Sequence, residues 1–265
     1  MKTSAAVPLR LDRISWRAIA ELQSRGMRML LLPTGATEQH GPHLPVNTDT
    51  VIAERLAEAA SAATGVPCLP TMAFTVSAGH TGKWPGTFSL RHETLIHAIN
   101  DLGDWAVATG WERLLIVNSH FGNDAVLRVA LDQLRLRHLG TLQIGMVNTF
   151  LLSASIREQF FADAEDLHAN RAETDLMLHL APETVVMEAA EDDPDRTAGT
   201  VFSHPVSQTS LNGVTGLPSQ GDGERGAALF AEMAAALTEK VVAGLTELPP
   251  LPPEHWFGAS RLPRI

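Results

Sequence analysis

Residues 27–50, MRMLLLPTGATEQHGPHLPVNTDT, join an apolar run to a loop that packs Glu38, His40, His43 and Asp49 into twelve positions. The run Met29-Leu30-Leu31-Leu32 reads as a buried strand. A loop rich in glycine and proline leaving such a strand is how an open α/β sheet brings polar side chains to the mouth of its crevice. Its two prolines and two glycines restrict the backbone, so the polar groups are presented with little entropy left to lose. Imidazole and carboxylate together suit zinc, iron or manganese, whereas calcium and magnesium favour oxygen-only sets.

Outward from this stretch, strand-like runs alternate with helical patterns. MRMLLLPTG precedes DTVIAERLAEAASAA, VPCLPTMAF precedes HETLIHAINDLGDWAVA, ERLLIVNS precedes DAVLRVALDQLRLRH, and LQIGMVNTF leads into a helix-rich region. Continuous apolar strands of this kind are covered by helices on both faces, which predicts a three-layer α/β/α fold with a mostly parallel central sheet. LDRISWRAIAELQSRG reads as an amphipathic first helix ended by Gly26. A helix, an interruption near His168 and a second helix stopped by Pro182 follow, then an irregular stretch over 187–223 that is a candidate loop or lid. Residues 224–243 read as a helix, and 248–265 as a proline-rich tail packing on this subunit or a neighbour. There is no repeat and no sharp shift in composition, so residues 1–265 read as a single domain.

Composition narrows the function classes. The net charge of −10, without a basic block, argues against a nucleic-acid surface. No stretch approaches the roughly 20 apolar residues of a membrane helix. The amino-terminus lacks an apolar signal core, so a cytoplasmic protein is expected. Cys68 is the only cysteine, which excludes an internal disulfide and a cysteine zinc cage and leaves histidines and carboxylates as ligands. A small molecule or peptide is the expected partner.

Further segments place polar groups at strand ends or helix starts. VNSHFGND brings His120 to the same sheet edge as the first loop if the strands are parallel. In DLHANRAETD, Glu173 is either a site carboxylate or an ordinary charge in a first helical turn. In VSAGHTGKWPGTFSL, His80 and Trp84 are either substrate contacts or a surface turn anchored by the indole. Gly213, Gly216 and Gly221 read as turn residues, with a pocket-shaping loop as the alternative. Asp175 and His179 read as an exposed ion pair before a metal pair. Ser77, Ser119 and Ser203 lack a nucleophile-elbow context, which leaves a serine hydrolase poorly supported.

Together the segments resemble the creatininase family of metal-dependent amidohydrolases. The hallmark loop G-x-x-E-Q-H-G-P-H-L-P plus aspartate appears as GATEQHGPHLPVNTD, and the likeness continues through HTGKWPGTFSL, VNSHFGN and HANRAETDLML, over roughly residues 28–240. The resemblance implies two divalent ions per subunit, zinc, manganese or iron. Glu38 and His40 would each serve a different ion, Asp49 would bridge both, and His120 would complete the first set. Where creatininase has a glutamate two residues after that histidine, this chain has Gly122, so Glu173 becomes the available carboxylate, as a ligand or as a base beside the metals. His168 matches the family's proton-shuttling histidine. The implied chemistry is amide hydrolysis by a hydroxide shared between two metals, with His168 protonating the leaving group. Asn118 and Asn123 would orient ligands or substrate, and His43 would hydrogen-bond behind the ligands.

Ala164 replaces a tryptophan that covers creatinine in creatininase, which argues against creatinine as substrate. Formamides, a modified peptide and cyclic sugar-derived ketones are the other substrate classes in the family. A homo-oligomer, commonly a hexamer, is also implied. Outside the resemblance, a single-iron site on Glu38, His40 and Asp49 and a non-catalytic metal-binding protein remain readings of the same residues.

Overall fold

The computed structural model describes residues 7–256. Residues 1–6, on which the reading of the amino-terminus partly rests, and 257–265 of the proline-rich tail lie outside the described residues. Three strands, β1 (Met29–Thr34), β2 (Arg113–Asn118) and β3 (Gln143–Asn148), form a parallel sheet in that order. Alternate side chains of a strand point to opposite faces. Met29 and Leu31 therefore enter one core with Val117, while Leu30 and Leu32 enter a second with Leu114 and Ile116. The first core is covered by α2 (Thr48–Thr64), α5 (Ala154–Phe160), α6 (Arg171–Leu180) and α8 (Gly223–Thr246), and the second by α3 (His92–Ala108) and α4 (Asp124–Arg137). This is the expected α/β/α layering. Helix α1 (Trp16–Ser24) starts at Ser15, whose hydroxyl accepts from the Ala18 amide, and packs Ile19 on the second core.

One expected strand is not a regular one. VPCLPTMAF lies beside β1 and meets it at separated points, Leu31 N to Pro67 O (3.0 Å), Leu69 N to Leu31 O (2.8 Å) and Met72 N to Pro33 O (3.0 Å). Pro67 and Pro70 have no N–H, so a continuous ladder cannot form there. Pro33 sits in β1 for a related reason: its missing N–H falls on this irregular side rather than on β2.

Thr34, Asn118 and Asn148 pair across the sheet, so all three strands end on one row. The loops after β1 and β2 leave from that row, and α6 begins beside it. Helix α8 holds α6 at close range because Gly226 has no side chain: a Cβ there would lie 1.8 Å from the Asp175 carbonyl oxygen. The region 187–223 carries short 3-10 turns and one helical turn, α7 (Val206–Thr209). It is pinned by paired backbone bonds, His168 with Thr215 and Asp193 with Gly216. Among the described residues no helix is long and apolar enough to cross a membrane.

Candidate metal centre

At the carboxyl edge of the sheet Glu38, His40, Asp49, His120 and Glu173 meet, each buried. The loop from β1 carries the first two, the first turn of α2 carries Asp49, the loop leaving β2 carries His120 and the first turn of α6 carries Glu173. Asp49 faces two histidines with different oxygens, His40 Nε2 at 3.4 Å from Oδ1 and His120 Nδ1 at 3.1 Å from Oδ2. Glu38 Oε2 lies 3.3 Å from His120 Nε2, and Glu173 Oε1 lies 4.0 Å from His40 Nε2. His80 and His168 bring their Nδ1 atoms to Glu38 Oε1, at 3.3 and 3.4 Å. Glu38, His40 and Asp49 form one set of donor atoms within 4.8 Å of one another, and Glu38, His80 and His168 form another.

Hydrogen bonds behind the cluster fix which nitrogen faces it. His40 Nδ1 donates to the Glu38 carbonyl (3.0 Å), His120 Nε2 to the Val76 carbonyl (2.9 Å) and His168 Nε2 to the Gln39 carbonyl (2.7 Å). The opposite nitrogen of each ring, Nε2 of His40 and Nδ1 of His120 and His168, faces the carboxylates, where a neutral ring would offer its lone pair to a cation and a protonated ring would donate to the carboxylate. Both oxygens of Glu38, and Asp49 Oδ2, are buried without a hydrogen-bond donor. Buried ionised groups left unpartnered are costly, and this donor set is what a divalent cation satisfies.

Without a cation the cluster holds protons instead. Burial opposes charge on His40, yet Asp49, Glu173 and Glu38 outweigh it and push its pKa up to about 10. Burial likewise opposes charge on His120, and Glu38 with Asp49 raises it to about 9. Burial, reinforced by Asp49 against the pull of His120, raises Glu38 to about 7. Burial also raises Glu173. Asp49 is held well below the carboxylate range because His40 and His120 overcome its burial. Burial and neighbouring imidazoles lower His80 to about 3 and His168 well below the usual histidine value.

Glu173 carries both of its sequence readings at once. Its Oε2 accepts from the Asn170 amide (3.3 Å) while Asn170 Oδ1 accepts from the Glu173 amide (3.2 Å), a capping box, and Oε1 points to the cluster. Just upstream, Ala169 adopts φ +48°, a strained conformation that turns the chain sharply between His168 and that cap.

A cavity of about 330 Å³ opens onto the cluster, and His80 and His168 line it. Asn118, Asn123 and Trp84 do not. Asn118 donates to the His120 carbonyl and to Asn148 Oδ1 (both 2.8 Å), and Asn123 donates to the Gly35 carbonyl (3.0 Å), so both shape backbone beneath the site. Trp84 lies under the Lys83 ammonium, 4.6 Å from the ring centre. His43 bonds Thr174 Oγ1 through Nε2 (2.9 Å), behind the ligands. Asp175 is buried and paired with Arg225 (Nη2 to Oδ1, 2.7 Å) instead of forming an exposed pair with His179.

Sequence reading overlooked Gln39, whose carboxamide spans Gly41 N (3.0 Å) and Gly213 O (3.1 Å). It also overlooked Phe121, Phe150 and Asp166 on the cavity wall. Phe121 follows His120 directly, and that adjacency was the available signal.

Imidazoles and donor-free carboxylates gathered at the carboxyl edge of a parallel sheet define a metal-binding α/β enzyme. A family model described as Creatininase, creatinine amidohydrolase, matches residues 12–241. The chain belongs to that family of hydrolases. It is 30% identical over 231 residues to the mycofactocin precursor peptide peptidase of Mycolicibacterium smegmatis, covering 80% of this chain and 84% of that one. It is 24% identical over 201 residues to the creatinine amidohydrolase of Pseudomonas putida, covering 71% and 77%. Among solved structures, a creatininase variant of zinc–zinc type superimposes with a TM-score of 0.79 at 21% identity, covering 91% of this chain and 99% of that one.

Proposed function

We propose that this protein hydrolyses a C–N amide bond, in a cyclic amide or formamide of a small molecule, with two divalent cations in each subunit. The supporting observation is Asp49, whose two oxygens face different histidines while both oxygens of Glu38 lie buried and donor-free. Glu38, Asp49 and His120 would hold one cation; His40, Asp49 and Glu173 would hold the other. Bound there, such cations supply a water nucleophile near neutral pH and polarise the scissile carbonyl.

His168 then handles the proton. Its Nε2–H is committed to the Gln39 carbonyl, so Nδ1 takes the proton from the attacking water and returns it to the departing nitrogen as the C–N bond breaks. Gly122 fits this division of ligands. A Cβ at 122 would lie 2.5 Å from His120 Nε2 and 2.7 Å from the Val76 carbonyl, so a side chain there would dislodge the histidine.

The test is metal analysis and an amide-hydrolysis panel on the wild type, His120→Ala and His168→Ala. The first variant is expected to lose metal and turnover, the second to keep metal and lose turnover. Activity retained in His120→Ala would overturn the reading, and one iron per subunit would favour a mononuclear site. A peptide amide is the second reading, favoured by the likeness to the peptide peptidase. Creatinine is set aside because Ala164 stands where creatininase has its covering tryptophan. The reading includes a cytoplasmic homo-oligomer, a hexamer in the first instance, and light scattering that finds a monomer would remove that part.

A further inference from the structure

Outside the cation-binding groups, the cavity carries an aromatic wall. Phe121 stacks on the buried Phe150 with centroids 4.2 Å apart and planes 12° apart, and Phe161 meets it edge-on at 5.9 Å. The ring is thus held from two directions, yet 47% of Phe121 is exposed and it lines the cavity one residue from His120. A flat apolar group in the cavity can cover that surface at little entropic cost, since the ring is already fixed.

Charge in the cavity is one-sided. Glu38, Asp49, Glu173 and Asp166 line it, and no lysine or arginine among the described residues does. The nearby Lys83 ammonium is engaged by the Ser210 carbonyl at 2.6 Å. Two divalent cations would be offset by the three inner carboxylates and one hydroxide together, leaving Asp166 uncompensated, with Asp195 adding negative potential behind it.

Resting on the hydrolase reading, the geometry points to a substrate class: amides bearing a flat apolar or aromatic group that lies against Phe121, and bearing no carboxylate or phosphate at the cavity mouth. Neutral and amine-bearing molecules fit. Anionic ones are repelled by Asp166, with no lysine or arginine among the described lining residues to receive them.

Hydroxamates bind divalent cations in hydrolase sites and separate the two parts of this proposal from the reading beneath it. Binding of acetohydroxamate, benzohydroxamate and 4-carboxybenzohydroxamate to the metal-loaded protein is measured by calorimetry. Benzohydroxamate is expected to bind about tenfold tighter than acetohydroxamate. That ratio should fall to within about twofold of unity in Phe121→Ala and persist in Phe121→Trp. The 4-carboxy compound should bind severalfold more weakly than benzohydroxamate, with the gap narrowing in Asp166→Asn. An unchanged benzo-to-aceto ratio in Phe121→Ala with full metal content overturns the aromatic part, and equal or tighter binding of the 4-carboxy compound overturns the charge part. Failure of all three to bind the metal-loaded protein overturns the hydrolase reading itself.

Discussion

Two places in this molecule gather three carboxylates each, and they are built on opposite rules. Around Arg10, Asp12 and Glu58 sit 3.0 Å from the guanidinium and Glu54 contacts it as well. All three are at least partly open to water and share the Arg10 guanidinium, and Arg55 also pairs with Glu58 at 3.2 Å. Around Asp49, the carboxylates of Glu38, Asp49 and Glu173 are buried to 0, 2 and 9% side-chain exposure, with no arginine or lysine among them. Their neighbours are imidazoles, which carry charge only when protonated. The difference teaches how to tell a surface ion network from a candidate site: the first has arginines and water to offset its charge, the second has only imidazoles, which suits it to a cation.

The sharpest way to break that contrast is to remove the shared carboxylate. Asp49→Asn is expected to strip metal from both positions and lower amide hydrolysis by more than about a thousandfold, checked by metal content and turnover on one preparation. Glu173→Gln is milder, since it affects one cation and keeps the shape of the helix cap. Metal affinity at one of two positions is expected to weaken about 10- to 100-fold, read by competition with a chromogenic chelator.

A pH series on the metal-free protein probes the same rule. His40 and His120 have folded-state pKa values raised to about 10 and 9 from an ordinary 6.5. Their contribution to stability is therefore complete below pH 6.5 and lost as pH climbs through 9 to 10. Thermal unfolding of the chelated protein should fall by about 5 °C or more over that range. The metal-loaded protein should change little, because the cations replace those protons. A flat profile for the chelated protein would count against the protonated pairs. At the small end, Arg10→Ala should cost about 1 kcal/mol of stability or less and leave turnover intact, measured by urea unfolding beside the activity assay. A larger loss would mean the two clusters are less different than they look.

Much of this was legible in the sequence because its signals were local. The apolar runs that became β1, β2 and β3, and the helix read over 92–108, depend on periodicity alone, and the observed α3 spans His92–Ala108. Parallel pairing then placed the β1 and β2 loops on one edge, which brought His120 to Glu38 and Asp49 as expected. What failed depended on direction or on missing hydrogens. Pro67 and Pro70 broke the second expected strand. Asn118 donates to the backbone of His120, in keeping with an orienting role, but neither Asn118 nor Asn123 lines the cavity as a substrate contact would, and no pattern in the sequence states which way a strand-end amide faces. Trp84 sits in the expected loop and off the cavity for a similar reason.

Glu173 ties two kinds of failure together, since one oxygen closes the start of α6 and the other looks to His40. With a cation held there as proposed, fraying of that first turn would loosen the grip on it, and its departure would leave a buried anion pressing on the turn. On warming, such an enzyme is expected to go silent by shedding metal while most of its body is still intact. Changes drifting through α6 or its seat on α8 would then surface as a growing appetite for metal before they surface as fragility.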